Sequence, residues 1–416
     1  MLRDKPETIQ TSREISSIEP NAIRPKSMNL PLSKTSKSLA SLDHSAWQVH
    51  LDAMQRLKDG ESIIPLSLGD PDFNTPDYIN VGLVEAIKRH RTHYSSAGGE
   101  PRLKEELAKL ETRLSGHIRN PNQFTIFQGA TGAIHAVLNC IANPGDNVVT
   151  TDPKYLGYDP TCASVGVELK AIAMSPPRFE LGVDTLLGAV DSRTVAILIN
   201  TPSNPVGSVA DPADLRRLAD ECSKRNIWLI SDEVYSLLWY DKKHVSLLNV
   251  AESIENTIVI DSLSKSHAMS GWRVGWTVSS EEFANRLEDF ALGAFFCSSQ
   301  FVQDGATFAL KHNTEQVQKM VAQYKARRDY TIDRIRRIHG IDAERPDAGM
   351  FVMANVHEDS GPFARQLLDE TGVSVMPGTA CGECTKNYVR IGLTQHVDTL
   401  KNAWDRIESW INLRVK

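Results

Sequence analysis

The chain contains 416 residues, of which 41% are hydrophobic and 24% charged, and its formal net charge is −6. This length exceeds what one small core can organise, so we expect one large domain and a smaller one. The slight acidic excess gives no electrostatic reason to expect nucleic acid or an anionic membrane as a partner, and the sequence has no apolar run of the roughly 18 residues that a membrane span needs. Small metabolites are therefore the expected ligands.

Residues 1–40 are rich in Ser, Pro and Lys and contain few large apolar side chains. A segment of this composition cannot bury enough surface to fold alone, so we expect a flexible tail, or an arm that packs on a partner subunit. Acidic residues such as Glu7 and Glu14 stand among its bases, which is unlike an organelle transit peptide, and the basic-then-apolar layout of a secretion signal is missing. We therefore expect a cytoplasmic protein.

Short apolar runs alternate with helical patterns between about Phe124 and Ser279. The runs are FTIF, NVVTT, VELKAIAM, TVAILI, IWLIS, NTIVI and VGWTVSS. Alternation of this kind predicts an α/β domain with a mainly parallel sheet and helices on both faces. Ligands of such sheets collect at the carboxyl ends of the strands, so a functional motif should directly follow an apolar run.

Four motifs follow apolar runs in this way. They are Gly129–Gly132 (GATG), Asn200–Gly207 (NTPSNPVG), Ser231–Glu233 (SDE) and Ser262–Lys265 (SLSK). We expect their polar side chains to meet at one rim of the sheet.

The carboxyl-terminal part of the chain has a different pattern. A long helical stretch after about residue 311 gives way to GMFVMANV, VSVMPG and NYVRIGL. This pattern predicts a smaller α+β domain made of residues 41–74 and 312–416, which leaves residues 75–311 for the large domain.

Lys265 raises the first chemical question, because it follows a strand that reads as buried. A buried ammonium without a partner sheds its proton and becomes a nucleophile toward aldehydes. The alternative is a lysine whose stem packs while its head reaches water. The planar fork of Arg273 and the hydroxyls of Ser262 and Ser264 suit a phosphate. A helix that opens at Ala130 and Thr131 would add backbone amides to the same anion site.

An aldehyde that carries a phosphate suggests pyridoxal 5′-phosphate (PLP), which needs an acid opposite its ring nitrogen. Asp232 suits this role, although it could instead cap the following helix. Tyr235 and Asn204 could hydrogen-bond the ring hydroxyl, and Tyr155 could stack on the ring. Turn formation and core packing are the alternatives for these three residues.

The segment SLSKSHAMSGWRVG resembles the lysine signature of the class I and II aminotransferases of PLP fold type I. The segments SLGDPDFNTP, HYSSAGGEPRLKEELA, NTPSNPVG, SDEVY and NYVRIGL also occur in that family's order, and the resemblance runs from about residue 46 to the carboxyl terminus. It implies a large domain with a mainly parallel seven-stranded sheet flanked by helices, a smaller α+β domain, and ping-pong transfer of an amino group from an L-amino acid to a 2-oxo acid.

The resemblance also implies roles for single residues. Lys265 forms the Schiff base with PLP, Asp232 pairs with the pyridine nitrogen, and the remaining contacts divide into four groups. The phosphate is held by Ala130, Thr131, Ser262, Ser264 and Arg273, the ring oxygen by Asn204 and Tyr235, the ring face by Tyr155, and the substrate carboxylate by Arg390 with Gly69 and Asn204. Tyr94 matches a tyrosine that reaches the phosphate in the neighbouring subunit, which implies a homodimer with shared active sites.

The segment Pro377–Gly382 (PGTACG) lacks the aromatic residue that relatives often carry there, so the loop near the substrate is expected to have a different shape. Cys381 and Cys384 have CxxC spacing, but no second pair completes a zinc site and no metal is expected. We expect most of the six cysteines to be free thiols. They are Cys140, Cys162, Cys222, Cys297, Cys381 and Cys384.

Within the family, the segments AWQVHLDAM, FVQDGA and GMFVM are most similar to arginine:pyruvate transaminases and related guanidino amino acid aminotransferases. A guanidinium substrate calls for a carboxylate, and Asp70, Asp72 and Glu100 are the candidates near the expected mouth of the site. The open alternatives are an aromatic or kynurenine, aspartate or alanine aminotransferase, and a PLP-dependent carbon–sulfur lyase. A PLP-binding regulator without catalysis is disfavoured because no DNA-binding pattern is present.

Overall fold

The computed structural model describes residues 30–43, 45–312 and 315–414. The expectation for residues 1–29 lies outside these ranges. Within them the strands, in chain order, are β1 (Ile64–Pro65), β2 (Phe124–Phe127), β3 (Asn147–Asp152), β4 (Glu168–Ala173), β5 (Thr194–Asn200), β6 (Trp228–Asp232), β7 (Thr257–Ser262), β8 (Gly275–Val278), β9 (Asp342–Ala343), β10 (Phe351–Asn355), β11 (Val373–Ser374), β12 (Met376–Pro377) and β13 (Tyr388–Gly392).

The α-helices of the same ranges surround these strands. They are α1 (Lys34–Ala40), α2 (Ser45–Lys58), α3 (Asp77–Lys88), α4 (Pro101–Ser115), α5 (Gly129–Ile141), α6 (Tyr158–Val165), α7 (Val183–Gly188), α8 (Pro212–Lys224), α9 (Leu247–Val250), α10 (Leu263–Ser266), α11 (Glu281–Ala294), α12 (Gln300–Lys311), α13 (Glu315–Ile335), α14 (Ser360–Thr371) and α15 (Val397–Arg414). None of the described helices is long and apolar enough to cross a membrane.

The large sheet has seven strands in the order β2-β8-β7-β6-β5-β3-β4. Only β8 runs antiparallel to its neighbours, β2 and β7, while the other pairs are parallel. The mainly parallel seven-stranded sheet is therefore confirmed. Because the six remaining strands point the same way, the motifs that follow β2, β5, β6 and β7 come to one edge.

Both faces of the inner strands of this sheet are buried, which explains the continuous apolar runs of those strands. Along β6, Leu229 faces one core and Ile230 the other. Leu215 of α8 belongs to the first core, and Ile134 of α5 belongs to the second. Successive side chains of a strand point to opposite faces, so a strand covered by helices on both sides must be apolar at every position.

A second, smaller sheet has the order β12-β13-β10-β9 and is antiparallel. Beside it, β1 pairs with β11 in parallel, so residues 64–65 join the carboxyl-terminal region. A separate apolar core contains side chains of these strands and of α13 and α15, among them Val352, Ile391, Tyr324 and Trp404. The predicted domain limits, 41–74 with 312–416 and 75–311, stay a prediction.

Part of the predicted tail is helical. Helix α1 begins after Ser33, whose hydroxyl accepts a hydrogen bond from Ser36 N at 3.1 Å, and no residue of α1 is buried. The helix lies against α6.

Candidate active site

A cavity of about 450 Å³ opens where the carboxyl ends of the large sheet's strands meet. Every residue to which the family resemblance gives a cofactor or substrate role lines it, except Tyr94. These residues are Gly69, Ala130, Thr131, Tyr155, Asn204, Asp232, Tyr235, Ser262, Ser264, Lys265, Arg273 and Arg390. The fold thus brings together side chains that lie far apart in the sequence.

Lys265 lies on α10, directly after β7. Its Nζ donates to the backbone oxygen of Gly69 at 2.6 Å. Burial lowers the pKa of Lys265 to about 8, Asp70 acts against this shift, and the positive charges of Arg390 and Arg273 reinforce it. The lysine head faces the cavity, and near neutral pH an appreciable fraction of it is a neutral amine.

An anion cradle lies at the amino end of α5. Gly129 opens the helix at φ +79°, and a Cβ on Gly129 would overlap the Arg273 guanidinium. A Cβ on Gly275 would lie 2.5 Å from Ala130 N, so β8 approaches the helix end as closely as a glycine allows. Arg273 and Ser262 complete a set of donors around the positive end of the helix dipole, which suits a phosphate.

Asp232 ends β6 at the bottom of the cavity and is only 4% exposed. Burial raises the pKa of Asp232 to about 6, while a hydrogen bond from the Tyr158 hydroxyl at 2.7 Å favours the charged form. The helix-capping alternative has weak support, since Val234 N lies 3.4 Å from the carboxylate. A buried carboxylate that faces a cavity can hold a cationic ring nitrogen.

Tyr158 was not foreseen from the sequence. The sequence points to Tyr155, which lines the cavity, whereas Tyr158 lies behind Tyr155 with the ring centroids 5.4 Å apart. The signal that could have found Tyr158 is its place at the first turn of α6, just beyond the residue expected to stack on the ring.

Arg390, only 3% exposed, is held in place from several sides. Its Nη1 donates to Asn204 Oδ1 and its Nη2 to Ser67 O, both at 3.0 Å, and its guanidinium carbon lies 4.2 Å from the centre of the Phe351 ring. Arg390 Nε is buried and has no hydrogen-bond partner among the residues that the structure describes. Asn204 Nδ2 in turn donates to the Tyr235 hydroxyl at 3.3 Å. The Arg390 guanidinium therefore keeps its unused N–H donors in a fixed orientation, as a carboxylate ligand requires.

Tyr94 lies outside the cavity. Its side chain is 79% exposed and packs against the Phe296 ring at a centroid distance of 4.6 Å. Its predicted role toward a neighbouring subunit stays a prediction.

The three acidic candidates for a substrate side chain differ in their surroundings. Asp72 pairs with Arg327 at 2.7 Å and Glu100 pairs with Arg91 at 2.5 Å. Asp70 alone of the three lines the cavity, where it is exposed. Trp47, Leu68 and Phe351 also line the cavity and were not singled out from the sequence.

The PGTACG segment lies against the end of β3. Lys154 N donates to Cys381 O at 2.8 Å, and Cys384 Sγ lies 2.9 Å from Asp152 O. The two cysteines are free thiols, as are the other four. The loop is therefore held by the large sheet, with Cys381 fully buried.

The residues of the cavity fit PLP. The cradle offers hydroxyl, guanidinium and backbone donors for a phosphate, Lys265 offers an amine for an aldehyde, and Asp232 offers a buried acid for a ring nitrogen. The buried Arg390 Nε without a partner indicates that an additional anionic ligand, such as a substrate carboxylate, belongs beside it.

Comparisons with known proteins agree with this chemistry. The family model described as aminotransferase class I and II matches residues 61–407. Arginine–pyruvate transaminase AruH of Pseudomonas aeruginosa is 36% identical to this chain over 367 residues, which cover 87% of this chain and 93% of that protein. An aspartate aminotransferase of Thermotoga maritima is 30% identical over 370 residues, or 88% of this chain and 96% of that protein.

The crystal structure of aspartate aminotransferase from T. maritima matches with a TM-score of 0.86 and 28% identity, and the match covers 92% of this chain and 100% of that one. The fold type and the enzyme class expected from the sequence are thereby confirmed. The chain belongs to the class I and II aminotransferases, which use pyridoxal 5′-phosphate.

Proposed function

We propose that this aminotransferase takes its amino group from a basic amino acid, with arginine as the first candidate, and passes it to a 2-oxo acid such as pyruvate. The observation that carries the proposal is the Asp70 carboxylate at the cavity, which no arginine of the described ranges engages. A guanidinium group would pair with such a carboxylate, and Trp47 offers an aromatic face in the same cavity. The likeness to an arginine–pyruvate transaminase supports the same choice.

In this proposal the residues of the cavity hold PLP in the roles that the family resemblance implies. Asp232 would hold the ring nitrogen, Asn204 and Tyr235 would hydrogen-bond the ring oxygen, and Tyr155 would stack on the ring. The phosphate is held by Ala130, Thr131, Ser262, Ser264 and Arg273. When bound, the cofactor supplies an electron sink for the electrons left after the Cα–H bond of the amino acid breaks.

Lys265 is the proposed general base and acid. Its Nζ takes the proton from the substrate Cα and holds it for return, which requires that the amine be neutral at the start. The contact between Nζ and Gly69 O orients the amine, and burial lowers its pKa to about 8. Arg390 holds the substrate carboxylate with its unused donors, so the Cα proton is presented to the amine.

The donor preference provides a test of the proposal. With pyruvate as acceptor, we expect conversion of arginine, ornithine and lysine, and we expect Asp70→Asn to raise the KM for arginine roughly tenfold to a hundredfold while the KM for pyruvate changes little. Asp77→Asn, at the start of α3 and outside the cavity, is the control.

If basic amino acids are not converted while an aromatic or acidic one is, the substrate proposal is wrong. Release of pyruvate and ammonia from a sulfur amino acid without an acceptor would favour the lyase.

The proposal includes a cytoplasmic homodimer with shared active sites. The large exposure of Tyr94 supports it, because a side chain outside its own cavity is available to a neighbouring subunit. We expect twice the chain mass in sedimentation equilibrium. We also expect Tyr94→Phe to weaken PLP retention without changing that mass. A monomer with full activity would contradict the shared site.

A further inference from the structure

Asp72 and Arg327 form a two-pronged ion pair beside the active site, in which the arginine is buried. Arg327 Nη1 and Nη2 donate to the two carboxylate oxygens of Asp72 at 2.7 and 2.8 Å. Only 4% of the Arg327 side chain and 26% of the Asp72 side chain are exposed, and the guanidinium carbon lies 5.1 Å from the centre of the Phe73 ring. Because a planar fork fixes both the distance and the orientation of a carboxylate, the loop that carries Asp72 is attached firmly to α13.

The same guanidinium also reaches the strand that carries Arg390. Arg327 Nη1 donates to Leu393 O at 2.9 Å, just beyond β13. The strand is attached to the loop as well, since Gly392 N donates to Leu66 O at 2.7 Å. One buried cation therefore joins the loop of residues 66–73 and the end of β13 into a single unit.

The loop of residues 66–73 makes direct contacts with two proposed active-site residues. Gly69 O accepts from Lys265 Nζ at 2.6 Å, and Ser67 O accepts from Arg390 Nη2 at 3.0 Å. A Cβ on Gly69 would overlap the Phe351 ring, so the loop has little freedom to shift toward the core. A displacement of Asp72 would thus change the position of both contacts.

We propose that Arg327 is a positioning residue, which acts through Asp72 to hold the loop of residues 66–73 against Lys265 and Arg390 and so prepares the site for the substrate carboxylate. The inference rests on the proposed function, because the substrate roles of Lys265 and Arg390 belong to it. Arg327 acts only through the backbone oxygens of the loop and through β13. Misplacement of a reacting group by about 1 Å is enough to reduce catalysis strongly.

The experiment compares holoenzymes of Arg327→Gln, Arg327→Lys and Asp72→Asn with the wild type. We expect the glutamine and asparagine variants to raise the KM for amino donor and 2-oxo acid about tenfold or more, with a smaller fall in kcat. Lysine keeps the charge but cannot form the fork, so Arg327→Lys should restore only part of the loss. The matched control is Arg334→Gln on the same helix, which breaks the ion pairs with Asp405 and Glu408 and should leave both KM values unchanged.

A second readout does not depend on turnover. The pH midpoint of the visible absorbance of lysine-bound PLP reports on the surroundings of Lys265, which include Asp70, Arg390 and Arg273. Release of the loop admits water, which favours the protonated form. We therefore expect the pH midpoint to rise by about half a pH unit or more in Arg327→Gln and Asp72→Asn, and to stay unchanged in Arg334→Gln. Thermal unfolding of all variants measures how much stability each substitution costs, and this loss is compared with the changes in KM.

Four outcomes separate the possibilities. The proposal is overturned if Arg327→Gln and Arg334→Gln lose the same thermal stability and change KM equally. It is also overturned if the pH midpoint of the visible absorbance does not move in Arg327→Gln and Asp72→Asn. If Arg327→Gln does not fold, Asp72→Asn and Arg327→Lys decide by the same criteria. If the wild type converts no amino donor but the midpoint still shifts, the proposed function fails while the positioning role of Arg327 stands.

Discussion

Lys265→Ala is expected to lower the rate of amino transfer by at least about 1,000-fold, because no amine remains where the substrate Cα proton is to be taken up. The phosphate donors, including Arg273 and Ser262, are unaltered, so PLP should still bind, but without its covalent link to the chain. The measurements are the turnover of arginine with pyruvate and the visible absorbance of the purified variant.

Two further lysine variants make this test specific. Lys265→Arg keeps a positive charge but cannot become a neutral base, so we expect it to be as inactive as the alanine variant. Lys170→Ala removes a lysine of β4 that pairs with Asp191 at 3.0 Å outside the cavity, and it should keep the wild-type rate. Wild-type turnover by Lys265→Ala would refute the proposed role of this lysine.

The large sheet and the rim of its strands could be predicted because their signals are local. A strand covered on both faces must be apolar at every position, so runs such as TVAILI and NTIVI identify buried strands by themselves. Parallel strands then bring whatever follows them to one edge. This is why Thr131, Asn204, Asp232 and Lys265, which belong to four separate motifs, all line one cavity.

Pairing between distant side chains could not be predicted in the same way. Asp72 is a candidate for the substrate because it is an acid near the expected mouth of the site, yet its partner Arg327 lies 255 positions further along the chain. No local pattern announces such an ion pair, since Asp72 and its neighbour Asp70 look alike in sequence. Glu100 likewise forms an ion pair, with Arg91. What separates Asp72 and Glu100 from Asp70 is the nearness of a guanidinium, which is a property of the fold.

Asp232→Asn is the second prediction with a large expected effect. The amide keeps the shape of the carboxylate but carries no charge, so it cannot stabilise a proton on the ring nitrogen that Asp232 is proposed to hold. We expect kcat to fall roughly 100-fold to 1,000-fold, the range for removal of one preorganised electrostatic partner. PLP should also be released more readily on dialysis. Single-turnover measurements with arginine separate the loss in the chemical step from the loss of cofactor.

Two companion variants decide whether this effect arises from charge. Glu106→Gln changes another buried carboxylate, on α4 and outside the cavity, and should keep near-wild-type kcat. Tyr158→Phe removes the hydrogen bond at 2.7 Å that favours the charged form of Asp232. The pKa of Asp232 then rises further, and since the active carboxylate is lost as pH falls through that pKa, the acid-side decline of activity should begin at a higher pH. An unmoved decline in Tyr158→Phe, together with an active Asp232→Asn, would mean that the carboxylate is not the group that holds the ring proton.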